Sequence, residues 1–208
     1  MLETAVLAFA TFFATISPID GAAIFAAITI NNSPAKRRRI AIRGVTIAAI
    51  VLLIFAAIGE WLLNTLGNSL AALRTAGGIL LLLMGLDMVF ARSSANTPTE
   101  ADELEAIEKD DVSVFPLAMP LLAGPGTMGA LILLMSKAEG EWVLQLTVIA
   151  ALLAVLLLTL ISLLAATRLN KLLGVTGMHV ITRVMGVLLC ALAVQFIFDG
   201  IAESGLLP

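Results

Sequence analysis

The chain has 208 residues, 60% of them hydrophobic and only 13% charged, with a net charge of −3 and a single cysteine. That balance excludes an ordinary soluble domain, and a lone cysteine excludes a disulfide framework or a cysteine-built metal centre. A mean hydropathy of +1.07 points instead to a chain that lives in the lipid bilayer.

Apolar stretches recur at residues 2–30, 40–66, 70–91, 113–136, 142–167 and 179–202, each long enough to cross a hydrocarbon layer of roughly 30 Å as a helix. Six spans use most of the chain and leave no room for a separate soluble domain. The alternating ten-residue runs of an outer-membrane barrel are absent. The expectation is an all-α membrane protein with six transmembrane helices.

The first stretch starts without a basic flank and carries Glu3, so it reads as a retained span and not a cleaved signal. About midway along it stand Ser17, Pro18, Asp20 and Gly21. A carboxylate in lipid costs on the order of 2.5–3.5 kcal/mol, so Asp20 needs a reason to be there. It reads either as a proton-coupling or ammonium-binding group or as an acid capping a restarted helix.

Lys36, Arg37, Arg38, Arg39 and Arg43 follow the first span, and short basic loops stay cytoplasmic. Both termini then lie outside. Counting onward, Arg92, Lys109, Arg168 and Lys171 also fall inside, so nine bases oppose Lys137 alone. Trp61 and Trp142 land at the outer interface, where indoles are favoured. A topology anchor accounts for the basic cluster better than a nucleic-acid patch, so no nucleic acid is expected as a partner. Residues 92–112, RSSANTPTEADELEAIEKDDV, hold too few apolar groups to order themselves and read as an acidic cytoplasmic linker.

In the third and sixth spans Arg74 and Arg183 sit little more than a turn inside the apolar stretch, and either gating or snorkelling explains them. Asp87, Asp199 and His179 read as interfacial residues, Cys190 as a small buried one. Met84, Met88, Met119, Met128 and Met135 are read as core filler. No metal site or cofactor is expected.

The two halves resemble each other. TISPIDGAAIFAAI at 15–28 aligns with LAGPGTMGALILLM at 122–135, placing Pro125 107 residues after Pro18. Arg74-Thr75-Ala76-Gly77 then falls on Arg183-Val184-Met185-Gly186 after a two-residue slip. Three spans per unit force the second unit in from the opposite side, so the chain reads as a 3+3 inverted repeat of residues 1–91 and 113–208. Helices 1 and 4 should break near the midplane at Pro18 and Pro125, freeing the carbonyls of Ala14 and Leu121. Each restarted helix would offer unpaired amides to an anion and each freed carbonyl would suit an ammonium. Ser17, Pro18, Asp20, Gly21, Gly124, Pro125, Gly126 and Thr127 are therefore the candidate substrate-binding residues, with Asp20, Arg74 and Arg183 as candidates for proton coupling or gating.

SPIDGAAIF, KRRRIA, LRTAGGILLLLMGLDM, VFPLAMPLLAGPGTMG and TRVMGVLLCALAVQFIFDGI together resemble the MarC family of inner-membrane proteins along essentially the whole chain. The resemblance implies six spans and, for members with an assigned activity, proton-driven transport of small neutral amino acids such as glycine and alanine. Family members commonly carry Asn or Asp before the first proline and Gly shortly after it, where this chain has Ser17 and Asp20. A small, nearly uncharged site suits a zwitterion better than a sugar, a divalent metal or a drug. An intramembrane enzyme would need a pairing such as Asp20 with Asp199 or Ser17 with His179, which joins residues at unequal depths. A secondary transporter in the inner membrane, and no enzyme, is the reading, with an exporter of another small polar solute or drug as the alternative.

Overall fold

The computed structural model describes residues 1–30, 32–65, 69–90, 112–138 and 140–204, apart from the side chains of 60, 62–64, 70, 73, 167–176, 178 and 179. Among the described residues every regular element is helical, in chain order α1 (Leu2–Ile16), α2 (Pro18–Ile28), α3 (Pro34–Thr65), α4 (Leu70–Phe90), α5 (Ser113–Leu122), α6 (Pro125–Lys137), α7 (Trp142–Leu164) and α8 (Ala166–Glu203). Leu2–Ile28, Pro34–Gly59, Trp142–Leu164 and Val180–Glu203 are each long and apolar enough to cross a membrane, and α5 with α6, bent by 52°, makes a fifth. The stretch expected at 70–91 is the 21-residue helix α4, which is not among those five. The acidic linker read at 92–112 lies outside the described residues except for Val112, which is fully buried.

Several threonine hydroxyls inside these apolar helices bond back to the preceding turn, which spares them from facing lipid unsatisfied. Thr11 Oγ1 donates to Leu7 O at 2.8 Å and Thr159 Oγ1 to Val155 O at 2.8 Å. Arg37 satisfies the far end of α2. Its guanidinium donates to Thr29 Oγ1 at 2.9 Å and to Ala26 O at 3.2 Å, where a cation also complements the helix dipole.

Segment α5 departs from the regular helix expected over 113–136. Pro116 and Pro120 remove two amide donors, and the residues before them, Phe115 (φ −127°, ψ 127°) and Met119 (φ −130°, ψ 129°), are extended, as a following proline favours. Both X–Pro bonds are cis. The turns close with wide bonds instead, Leu117 N–H to Val112 O at 3.3 Å and Ala123 N–H to Ala118 O at 2.9 Å. The segment is nonetheless inside the molecule: Leu117, Ala118 and Leu122 are fully buried.

Helices adjacent in sequence are not the main packing partners. Helix α4 lies along α8; α1 and α2 pack on α7 and on α8; α5 and α6 pack on α3, and α6 also meets α4; α1 touches α6, and α3 touches α7. The α4–α8 pair is the closest because glycines face backbone. A Cβ on Gly78 would lie 2.8 Å from Ala193 O, one on Gly186 2.9 Å from Gly85 O, and one on Gly200 2.7 Å from Thr75 N. Rising numbers on α4 meet falling numbers on α8, so the two run antiparallel. Gly186, Ala193 and Gly200 recur every seven residues, as do Gly78 and Gly85, which keeps small residues on one face of each helix, the usual device for close packing in lipid.

The core is filled by Phe12, Leu52, Leu81, Leu131, Leu133 and Leu152. Met84, Met88, Met128 and Met135 pack against it. Met119 does not; it is 39% exposed, because the extended backbone before Pro120 turns it outward.

Candidate functional site

The interruption between α1 and α2 follows from Pro18. A residue before proline is excluded from the right-handed helical region, and Ser17 adopts the left-handed region at φ 45°, ψ 70°, which costs a residue with a β-carbon on the order of 1–3 kcal/mol. Ser17 ends one helix and begins the next. Its N–H donates to Phe13 O at 3.0 Å while its carbonyl accepts from Gly21 N–H at 2.9 Å. Its hydroxyl donates to Ala14 O at 2.8 Å. The Ala14 carbonyl that Pro18 frees is therefore capped locally and is not held open for an ammonium. Left-handed backbone is the conformation that Asn and Asp tolerate best after Gly.

Asp20 stands in the first turn of α2, where the helix dipole favours an anion. Its Oδ1 accepts a hydrogen bond from Thr182 Oγ1 at 2.5 Å. Thr182 is the residue that sequence reasoning missed, because a lone threonine in an apolar helix has the same signature as those that merely bond back. Beside this hydrogen bond lies a small cavity, about 10 Å³, lined by Phe13, Ser17, Pro18, Ile19 and Asp20, by Met88 of α4, and by Ile181, Thr182 and Met185 of α8. It has room for about one water.

The cavity is not midway along the neighbouring helices. Thr182 is near the beginning of the span-length stretch Val180–Glu203, and Met88 is near the end of α4. Asp20 is thus level with one end of those stretches, because the first helical stretch runs 27 residues, Leu2–Ile28, and places it two thirds of the way along.

The second interruption is built differently. Gly124 is extended at φ −78°, ψ 170°, Pro125 takes the first helical position, and neither an acid in the first turn nor a side-chain cap is present. The first intrahelical bond is Met128 N–H to Gly124 O at 3.0 Å, so the amides of Gly126 and Thr127 precede it. Gly124, Gly126 and Thr127 are buried and Pro125 is exposed. None of these four lines the cavity at Asp20, so the single enclosure expected from the two prolines is not formed here. Gly21 is buried, yet a Cβ there would meet nothing within 4 Å, which leaves unfilled space beside the first interruption.

At the other end of the α4–α8 pair, Arg74, largely buried, forms an ion pair with Glu203. Nearby on the same helix as Glu203, Asp199 accepts from Lys137 Nζ at 3.4 Å and from Gln195 Nε2 at 2.7 Å. Arg183, related to Arg74 by the sequence repeat, is exposed. The side chain of His179 lies outside the described residues.

The description "MarC family integral membrane protein" matches residues 2–204. The chain belongs to the MarC family. Among relatives, a UPF0056 membrane protein of Methanocaldococcus jannaschii is 39% identical over 96% of this chain and 97% of its own. One from Archaeoglobus fulgidus is 35% identical over 94% and 91%, and one from Aquifex aeolicus is 32% identical over 94% and 91%. No solved structure matches. This MarC protein is thus an integral, multi-pass membrane protein.

Proposed function

We propose that this MarC protein is a secondary transporter for small neutral amino acids, glycine and alanine among them, in the cell's inner (plasma) membrane. The observation that carries the reading is the acid Asp20, held against Thr182 of a different helix where α1 gives way to α2, with a small cavity beside them. A carboxylate inside a membrane helix marks a solute or proton path by default.

The two interruptions differ in charge, and a zwitterion would need them brought together from the separate positions they hold here. The start of α2 carries the negative charge of Asp20 and suits an ammonium. The start of α6 carries no acid, so its leading amides and positive dipole end suit a carboxylate. The space beside Gly21, where a Cβ would meet nothing within 4 Å, can take a methyl group.

The proposed architecture is six spans in two inverted units, 1–91 and 113–208. What supports it is the packing: exchanging the halves turns the contact of α1 and α2 with α7 into that of α5 and α6 with α3, and turns the contact of α6 with α4 into that of α2 with α8, while α4–α8 maps onto itself. Such pairs rock against each other in alternating access. One end is held by the Arg74–Glu203 and Lys137–Asp199 ion pairs, and at the other Thr182 donates a hydrogen bond to Asp20. With the basic clusters inside and both termini outside, the Asp20 end faces the cytoplasm. Asp20 accepts the coupling proton, and no residue has a catalytic role.

Counterflow in proteoliposomes tests this. Liposomes preloaded with unlabelled glycine or alanine should accumulate the labelled amino acid transiently and saturably, with leucine and phenylalanine failing to compete. Protein shown to be folded that exchanges neither would overturn the proposal.

A further inference from the structure

We infer that the first turns of α3 form a binding site for an anionic phospholipid, with Arg38, Arg39 and Arg43 holding the phosphodiester and the exposed apolar face below them holding an acyl chain. The site is independent of the transport reading.

The arginines are on one face. Ala35, Arg38, Arg39, Ile42 and Arg43 share one open, shallow patch of surface, and all five are exposed. The opposite face, Ile40, Ala41, Val45 and Ala48, is buried against the rest of the molecule. A three-to-four-residue spacing puts the first set in one stripe. Arg37 of the same cluster is turned away to Thr29 and Ala26. A cluster that served only to orient insertion would need positive charge and no common face, whereas three guanidinium groups around an apolar floor match a phosphodiester, which accepts their forked N–H donors.

The same stripe continues down the helix as apolar surface. Ile42, Ile50, Leu53 and Ile54 are 42%, 53%, 37% and 51% exposed, within a stretch long and apolar enough to cross a membrane. The face is therefore basic at one end and apolar below, which is the amphipathic profile of a phospholipid. A zwitterionic headgroup would bring its own cation to the three arginines, so the charge selects an anionic lipid such as phosphatidylglycerol or cardiolipin.

Native mass spectrometry of the full chain in mild detergent tests the inference, with phosphatidylglycerol and phosphatidylcholine of identical acyl chains as probes. The wild type should retain phosphatidylglycerol in strong preference. Arg38→Gln with Arg39→Gln and Arg43→Gln should lower that preference roughly a hundredfold, from about fivefold for each base near a membrane surface. Arg38→Gln with Arg39→Gln alone leaves Lys36, Arg37 and Arg43 to preserve insertion, and should lower it about 25-fold on the same basis. Glycerol phosphate at the same concentration should not compete, since it lacks the chain that runs along Ile42 and Ile50. Equal retention of both lipids by the wild type, an unchanged preference in the folded double variant, or full competition by glycerol phosphate would each overturn the site.

Discussion

Replacing Gly78 with alanine sets the packing account its sharpest task. The added methyl would sit 2.7 Å from Ile197 Cγ1, 2.8 Å from Ala193 O and 3.0 Å from Ile197 N. The last two are backbone atoms of α8, so relief requires the helices to move apart by a few tenths of an ångström along a pair that also meets at Gly85, Gly186 and Gly200. Overpacking of this kind costs about 1–3 kcal/mol, against an intrinsic helical gain of about 0.5–1 kcal/mol for alanine over glycine. Gly21→Ala is the matched control. Its methyl meets nothing within 4 Å, so only the favourable part applies and the variant should be neutral or stabilised. The two substitutions add the same atoms and share the helical gain, so they should separate by the overpacking cost, about 1–3 kcal/mol, with Gly78→Ala the less stable. Unfolding followed by circular dichroism in one detergent, with denaturant titrated, reads the difference. Equal stability of the two variants would refute the reasoning that glycine at α4–α8 is dictated by backbone approach.

Three further outcomes follow from the site. Ser17→Gly and Ser17→Asn should stay within about 1 kcal/mol of wild type, whereas Ser17→Val, with a β-branched side chain in left-handed backbone, should lose more than the roughly 1–3 kcal/mol already stored there; melting temperatures in detergent would show the order. Asp20→Asn should abolish gradient-driven accumulation and also weaken counterflow, since the amide neither carries a proton nor pairs with an ammonium; accumulation at the wild-type level would remove Asp20 from proton coupling. Thr182→Val deletes a hydrogen bond to a carboxylate worth about 1.5–3 kcal/mol, so a cysteine at Ile181, in a Cys190→Ala background, should react with a maleimide about tenfold or more faster; an unchanged rate would mean that this contact does not hold α2 against α8.

The helical class and most apolar stretches were legible because lipid leaves a span few alternatives to a continuous helix. Pro18 and Pro125 mark where α2 and α6 begin, since each lacks a backbone donor, which at Pro18 the Ser17 hydroxyl replaces at Ala14 O. Depth was harder. Asp20 lies toward one end of the neighbouring helices because the first helical stretch starts at Leu2, and an apolar run does not reveal where its lipid boundaries fall. Pro116 and Pro120, four residues apart, were a visible signal for the irregular α5 that hydropathy masked. Partner choice was not legible at all: a glycine recurring every seven residues marks a close-packing face, but Gly78 does not name α8 as its neighbour. Thr182 was hidden because its role exists only across that packing.

The central claim is that the space between α2 and α8 at Asp20 is where solute enters, and substrate protection tests it most directly. With cysteine at Ile181 in the Cys190→Ala background, maleimide labelling should slow as glycine or alanine is added, half-maximally at the concentration that half-saturates counterflow. Labelling that proceeds at one rate with and without a solute the same protein demonstrably exchanges would contradict the claim.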